Sequence, residues 1–465
     1  MFLSRVKTLT NKEIEVYFVH LKYSRYNTYM KKIFYYIFII FLTSTTSCFA
    51  IIDKTKVSIQ EAVSIATKNN LDIQASRKNI QIDAEKIKSA NRLQNPELSV
   101  FYNIGKAGEG DPQGIKASQL IEIRKRGARK DLAKSNFELT ERYVEYLEFD
   151  LRMDVREAYT NLLAKKSVLS TMKTQEKILG VMLDQAKDKH KTGEVSEIDV
   201  LQAQLLLNQI ITEVKSAEFA VKTAIHEFNK AINSPDGFYD TIEDNFTADY
   251  KPLLIPKPET EMPDFETIST SAINNRYDIK IALQQIEVAE KELLITLRQK
   301  VPDIELSSGY LYQNKYQTDD NKFRQGAYLE ANLINIPLLY RYKPEIEASK
   351  LKLEQAHINY ASVENKALNE LRKAYEKFLI AQLTLKSYNE QLLSNSEELI
   401  NASREGYYKY DNVELTTLIT MEESYRMISI AHTYALAEYY NAWNAFIREV
   451  NNENFTIEDK NIENI

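Results

Sequence analysis

A block of this chain occurs twice, and the duplication restricts the fold more than any single residue does. Leu71-Asp72-Ile73 is followed, after a helix-like stretch, by Asn95-Pro96-Glu97-Leu98; Tyr277-Asp278-Ile279 is followed at the same spacing by Val301-Pro302-Asp303-Ile304. Both matches are displaced by 206 residues (278 − 72 and 302 − 96). Further on, Arg156-Glu157-Ala158-Tyr159 is echoed by Arg372-Lys373-Ala374-Tyr375, displaced by 216 (374 − 158). A period of this size marks a duplicated domain-sized unit, not a solenoid module of about 20–50 residues. Each copy has the same order: helix, hairpin, very long helix, helix. The expected fold class is mainly α with β-hairpins.

In the first copy, Ser58 to Arg92 reads as one helix, with Ser58 and Glu61 as a capping box and Pro96 as the stop. A strand follows with Leu98, Val100, Tyr102 and Ile104 on one face, then a turn-rich loop from Gly105 to Gly114, then a strand from Ile115 to Ile123. Between Gly127 and Gly193 only Gly180 interrupts and no proline does. Some 60 helical residues make a rod of roughly 90–100 Å. A break at Thr192-Gly193-Glu194-Val195-Ser196 leads to a return helix ending near Asn233, where Val214, Val221 and Phe228, and also Ile211, Ile225 and Ile232, recur at coiled-coil spacing. The second copy repeats the plan: a helix from Phe265 to Lys300, strands over 304–312 and 327–336, a long helix from about Glu345 to Glu405, a turn over 406–412, and a last helix to Val450. Five of the ten prolines fall between 235 and 263. The expected divisions are 1–50 (extension and signal), 51–233 (first repeat), 234–263 (proline-rich linker), 264–450 (second repeat) and 451–465 (polar disordered tail).

Composition removes several function classes. The 60 basic and 66 acidic residues are well mixed and give a net charge of −6, unlike the concentrated basic face of a nucleic-acid binder. One cysteine, Cys48, permits neither an internal disulfide nor a cysteine-based metal site. The five histidines, at 20, 190, 226, 357 and 432, form no i, i+4 pair. No P-loop, GxGxxG or nucleophile–base pattern is readable, so neither an enzyme nor a cofactor is expected. At the N-terminus, Met30-Lys31-Lys32, the apolar run Ile33 to Leu42 and a small-residue stretch to Ala50 have the layout of a secretory signal over 30–50. Residues 1–29 read as an upstream extension, with Met30 a second candidate start. Cys48 is a candidate lipidation site, although Thr45 stands where a lipobox prefers leucine; cleavage after Ala50 is the competing reading.

Beyond that segment no long apolar stretch exists, so a membrane crossing has to use strands. Two strands per copy are marginal alone, and four from one chain cannot close a barrel. Several chains pooling their hairpins solve the problem, because closure removes sheet edges. The 29 tyrosines suit such a design, since tyrosine favours membrane–water boundaries. A soluble coiled-coil scaffold with incidental hairpins is the alternative, and it leaves the apolar strand faces unexplained.

The chain resembles the TolC-like outer-membrane efflux protein family over roughly residues 55–450. The resemblance is carried by the duplicated units, the Asn95-Pro96-Glu97-Leu98 and Val301-Pro302-Asp303-Ile304 junctions, the strand end Ile334-Asn335-Ile336-Pro337-Leu338, and the tip Gly193-Glu194-Val195-Ser196 leading into Val200-Leu201-Gln202-Ala203-Gln204. It implies a homotrimer in outer-membrane lipid, with a twelve-stranded barrel and an α-helical periplasmic tunnel. It implies two partners, a periplasmic adaptor and an inner-membrane pump of resistance-nodulation-division or ABC type. The segment Leu120 to Arg129 is similar to the heavy-metal-cation branch. The function implied is passive export as the exit duct of a tripartite pump, with a type I protein or peptide secretion duct as the alternative.

The two turns are the candidate sites. Gly193, Glu194, Val195, Ser196, Asp411, Asn412 and Val413 are expected at the periplasmic tip and its adaptor contact. The resemblance makes Asp199 and Glu414 candidate gate or latch residues, while Thr417 and Thr420 occupy positions where some relatives carry acidic rings. The plainer reading of each charge is a solvated surface, and of Gly193 a left-handed helix end. Ala158-Tyr159 and Ala374-Tyr375 read as knobs-into-holes packing in the tube wall.

Overall fold

The computed structural model describes residues 55–102, 112–234, 238–247, 250–313, 324–410 and 412–455. The signal segment 30–50, Cys48 and Asp411 lie outside these residues.

Each expected first helix is in fact two. In the first repeat, α1 (Ile59–Asn69) and α2 (Leu71–Ala90) meet at Asn70, whose backbone is extended (φ −60°, ψ 120°). Asn70 ends α1 and caps α2, its side-chain oxygen accepting from the Asp72 and Ile73 N–H groups at 2.9 and 3.1 Å. In the second repeat α5 (Phe265–Asn275) and α6 (Tyr277–Arg298) break at Arg276, again with an extended backbone. Asparagine competes for backbone groups through its side chain, which is how a residue inside an unbroken apolar pattern ends a helix. The Ser58–Glu61 capping box is present as expected.

Four strands form one antiparallel sheet in the order β2-β3-β5-β6: β2 (Glu97–Phe101), β3 (Pro112–Ile121), β5 (Asp303–Gln313) and β6 (Arg324–Ile334). The hairpins of the two repeats thus join through β3 and β5, and β2 and β6 are left as open edges. A small parallel pair, β1 (Thr55–Val57) and β4 (Tyr239–Thr241), ties the start of the first repeat to the linker.

The long helices are α3 (Lys125–Thr192, 68 residues) and α7 (Lys343–Ser387, 45 residues). After α7 come a π-helical turn at Tyr388–Leu392, α8 (Leu393–Glu405) and a second π-helical turn at Gly406–Tyr410. The return helices α4 (Glu197–Ile232) and α9 (Leu415–Val450) are both 36 residues long, and each ends on a left-handed asparagine, Asn233 (φ 58°) and Asn451 (φ 57°). In α4, Val214 and Phe228 of the expected seam are buried and Val221 packs beside them. The other half of the heptad is Ala203, Ile210, Ala217 and Ala224, all buried. Those alanines bring the neighbouring helix close, and their small side chains leave little trace in the apolar pattern.

Tyr159 and Tyr375 do more than fill space. Tyr159, fully buried, donates to the Val57 carbonyl at 3.1 Å, immediately before the N-cap Ser58. Tyr375 donates to the Pro263 carbonyl at 2.9 Å, immediately before the N-cap Asp264. Each repeat therefore pins the start of its first helix to its long helix by the same kind of bond.

The proline-rich linker is held by its carbonyls. Prolines supply no N–H, so the acceptors need donors from elsewhere. Trp443 donates to the Leu254 carbonyl at 2.9 Å, Gln382 to the Thr260 carbonyl at 2.6 Å, and Tyr439 to the Pro256 carbonyl. Residues 451–455 of the tail are also anchored: Phe455 is buried against Trp443 and Phe446, and Glu453 bridges Arg152 and Arg156 at 2.5 and 2.6 Å.

Candidate functional site

Two regions carry functional geometry, the sheet and the far end of the helices. In the sheet, residues directly opposite one another share a face, so the register sorts the faces without ambiguity. One face holds Leu98 and Val100 of β2, Ile115 and Ala117 of β3, Ile304, Leu306 and Tyr310 of β5, and Ala327, Leu329 and Leu333 of β6. It is left open to the surroundings: Val100 is 73 % exposed and Leu329 83 %. The opposite face holds Ser99, Lys116, Ser118, Glu305, Ser307, Glu330 and Asn332, with Phe101, Leu120, Leu311 and Tyr328 among them. Lys116 and Glu305 are ion-paired across the two repeats at 3.0 Å. A face with all the sheet's paired charges against a bare, mainly apolar face, interrupted by Gln119 and Ser308, is the inverse of a soluble sheet and follows the alternation of a transmembrane strand. β3, β5 and β6 have 10, 11 and 11 residues, the length that crosses a bilayer.

At the other end, four helices from both repeats share one apolar cluster: Leu179, Met182 and Ala186 of α3, Leu206 and Ile210 of α4, Ile400 of α8, and Leu415 and Leu418 of α9, with Tyr407. Val195 and Val413, one from each turn, pack on it. The turns predicted 218 residues apart (414 − 196) are thus brought to the same end of the bundle. Lys189 crosses between them, its ammonium 4.3 Å from the centre of the Tyr407 ring.

The turns are built differently. Gly193 is left-handed (φ 85°), its N–H donates to His190 at 3.0 Å, and the Glu194 N–H reaches Lys189 at 2.9 Å. That pairing is a Schellman motif. Ser196 caps α4, and Asp199 closes the capping box, accepting from the Ser196 backbone N–H at 3.3 Å and from its hydroxyl at 2.8 Å. In the second turn Gly406 has ordinary helical angles (φ −58°), but a Cβ there would overlap Val413 Cγ2. Glu414 is the N-cap residue of α9 with no side-chain capping bond. Glu414, Thr417 and Thr420 are exposed, and Thr420 bonds back to the Thr416 carbonyl at 2.9 Å.

A buried polar group near this end went unread in the sequence. Glu422 is 1 % exposed; Arg404 grips it with both oxygens engaged, at 2.6 and 2.9 Å, and Gln175 donates to it at 2.8 Å. Its hydrogen bonds hold the Arg404 guanidinium above its ordinary value. Arg426 pairs with Glu213 nearby along the bundle. These partners come from four helices and both repeats, so only the folded register reveals them. Among the described residues no group of three or more His, Cys, Asp or Glu forms a metal-holding cluster, and no helix is long and apolar enough to cross a membrane.

Residues 62–233 match the model of the family described as outer membrane efflux protein. The fold is that of solved outer-membrane channels. The Campylobacter jejuni CmeC outer membrane channel is 15 % identical, with a TM-score of 0.66 over 87 % of this chain and 88 % of that one. The outer membrane protein VceC of Vibrio cholerae is 14 % identical, with a TM-score of 0.65 over 85 % and 97 %. The open state of the Neisseria gonorrhoeae MtrE outer membrane channel is 13 % identical, with a TM-score of 0.63 over 85 % and 89 %. No curated protein sequence matches. These likenesses do not single out the heavy-metal-cation branch.

Proposed function

We propose that this chain, an outer membrane efflux family protein through residues 62–233, is one protomer of a trimeric outer-membrane duct. The observation that carries the reading is the four-stranded sheet, mainly apolar and bare on one face, charged and mainly polar on the other, with both edges open. Three such sheets closed edge to edge satisfy every strand and leave the apolar band to lipid. The polar face, with the Lys116–Glu305 pair, then lines an aqueous pore. The helices continue the pore into the periplasm, where the joined turns form its entrance and meet a periplasmic adaptor and an inner-membrane pump. No catalytic step is needed: the pump does the work and the duct conducts. Asp199 and Glu414, at the starts of the two return helices, are the proposed latch residues.

The test is reconstitution of the purified protein in planar bilayers. The proposal expects stepwise single-channel currents and a conductance raised by Asp199→Ala. A protein that never conducts is a scaffold instead. Deletion of the gene, followed by growth on metals, dyes, detergents and antibiotics, identifies the cargo.

A further inference from the structure

All four helix–sheet junctions lie at one end of the sheet. The register places Glu97 opposite Ser118, Ile121 opposite Ile304, and Asp303 opposite Ile334, so α2, α3, α6 and α7 all attach there. The connecting segments 91–96, 122–130, 297–303 and 335–343 contain ten Lys or Arg and two acids, in a chain whose net charge is −6. Both acids are already engaged: Asp303 binds Lys125 at 2.7 Å, and Glu122 binds Arg129. Arg92, Arg124, Arg126, Arg298, Arg341 and Lys343 have no ion-pair partner among the described residues. Elsewhere in the described chain arginines are mostly paired, as Arg77, Arg152, Arg156, Arg276, Arg404, Arg426 and Arg448 are. Between these cations sits bare apolar surface: Leu338 is 75 % and Leu339 fully exposed, beside the T-shaped pair Tyr340 and Tyr342.

We propose that this collar binds the anionic phospholipid headgroups of the leaflet facing the helices. The inference rests on the membrane reading of the sheet and deepens it. Unpaired cations from four junctions face negative phosphates, Leu338 and Leu339 enter the acyl region, and Tyr340 and Tyr342 sit at the boundary, as aromatic residues do. The apolar surface runs on from Leu333, which lies on the open sheet face. Arginine suits the task because its planar fork matches phosphate geometry. Each cation near an anionic leaflet is worth roughly fivefold in affinity, so several together discriminate charged from zwitterionic lipid. The collar also fixes the depth of the sheet, since the cations cannot follow the apolar band into the hydrocarbon.

The experiment compares the full-length protein with the triple variant Arg124→Gln/Arg126→Gln/Arg341→Gln in nanodiscs of phosphatidylethanolamine alone and with about a third phosphatidylglycerol, a fraction chosen to give a clearly negative surface. Lipid retained after gentle detergent extraction is read by native mass spectrometry, and thermal unfolding is followed in both discs. The wild type is expected to retain phosphatidylglycerol roughly tenfold above its bulk fraction at low salt, to lose much of that at 0.5 M salt, and to unfold at a higher temperature in the anionic disc. The variant should lose both preferences while keeping wild-type conductance and helix content. Equal retention of the two lipids by the wild type, or an unchanged preference in the variant, overturns the proposal. So does a variant that keeps its lipid preference and instead loses adaptor binding, which assigns the collar to a protein. Absence of conductance in the wild type defeats the duct reading separately.

Discussion

The long helices of the two repeats descend to the same tip by different routes. In the first repeat α3 is unbroken from Lys125 to Thr192, whereas in the second the path passes through two π-helical turns. From the anchoring tyrosine to the N-cap of the return helix is 37 residues in the first repeat (196 − 159) and 39 in the second (414 − 375). A turn closed from i to i+5 holds one more residue than an α-turn. Two such turns therefore absorb two extra residues and deliver Val413 to the same apolar cluster as Val195. The duplicated halves have diverged inside a helix, with the tip packing as the fixed requirement.

The strongest test of this comparison is deletion of one residue from each helix. Removing Lys173 from α3 rotates everything below it by about 100° and takes Leu179, Met182 and Ala186 out of the shared cluster. The loss exceeds about 5 kcal/mol, which should appear as a tip cut by protease in the native protein. Removing Asn389 from the first π turn converts it to α-helix and should be tolerated within about 2 kcal/mol. Equal damage from the two deletions breaks the account.

Next in size is the polar tie between the routes. Glu422→Ala strips Arg404 and Gln175 of their buried partner and is expected to cost about 3 kcal/mol, seen as a lower midpoint in urea. The glycines sharpen the contrast further. Gly193→Ala should lose about 1 kcal/mol because φ is positive, and Gly193→Asn should recover most of it. Gly406→Ala should lose about 1–3 kcal/mol through overlap with Val413 and Asn412, and Val413→Ala should recover part of it. A single remedy that worked at both positions would erase the distinction.

The smallest effect concerns Glu453 at the anchored tail. Burial pushes its carboxyl up, but Arg156 and Arg152 outweigh that and hold it below the ordinary 4.5. A lowered folded value means stability that is full above pH 4.5 and lost as pH falls through the folded value. Glu453→Gln should therefore lower the thermal midpoint at pH 7, and the difference should shrink as pH falls below 4.5 through the folded value.

The duplication, the strand alternation and the Gly193 turn were legible in the sequence because each is written locally, in spacing or in one residue type. Asn70 and Arg276 were not, since the apolar pattern runs straight through both breaks. The alanine half of the α4 seam was hidden because small residues carry little pattern. Glu422 looked like one more surface acid, and its burial depends on a register set by two π turns that no local motif announces. Asp199 was singled out for the gate; the fold gives it a capping bond, a role its spacing from Ser196 already allowed.

The central claim is that β2 of one chain pairs with β6 of another to close the pore. Within one chain these edges are separated by two strands, about 14 Å, beyond disulfide reach. In a Cys48→Ser background, Val100→Cys is combined in turn with cysteine at Ala327, Leu329, Ala331 and Leu333 and oxidised in native membranes. The account predicts that one position of the four yields covalent trimers on a non-reducing gel, dispersed by reductant. Monomer alone at all four positions contradicts it.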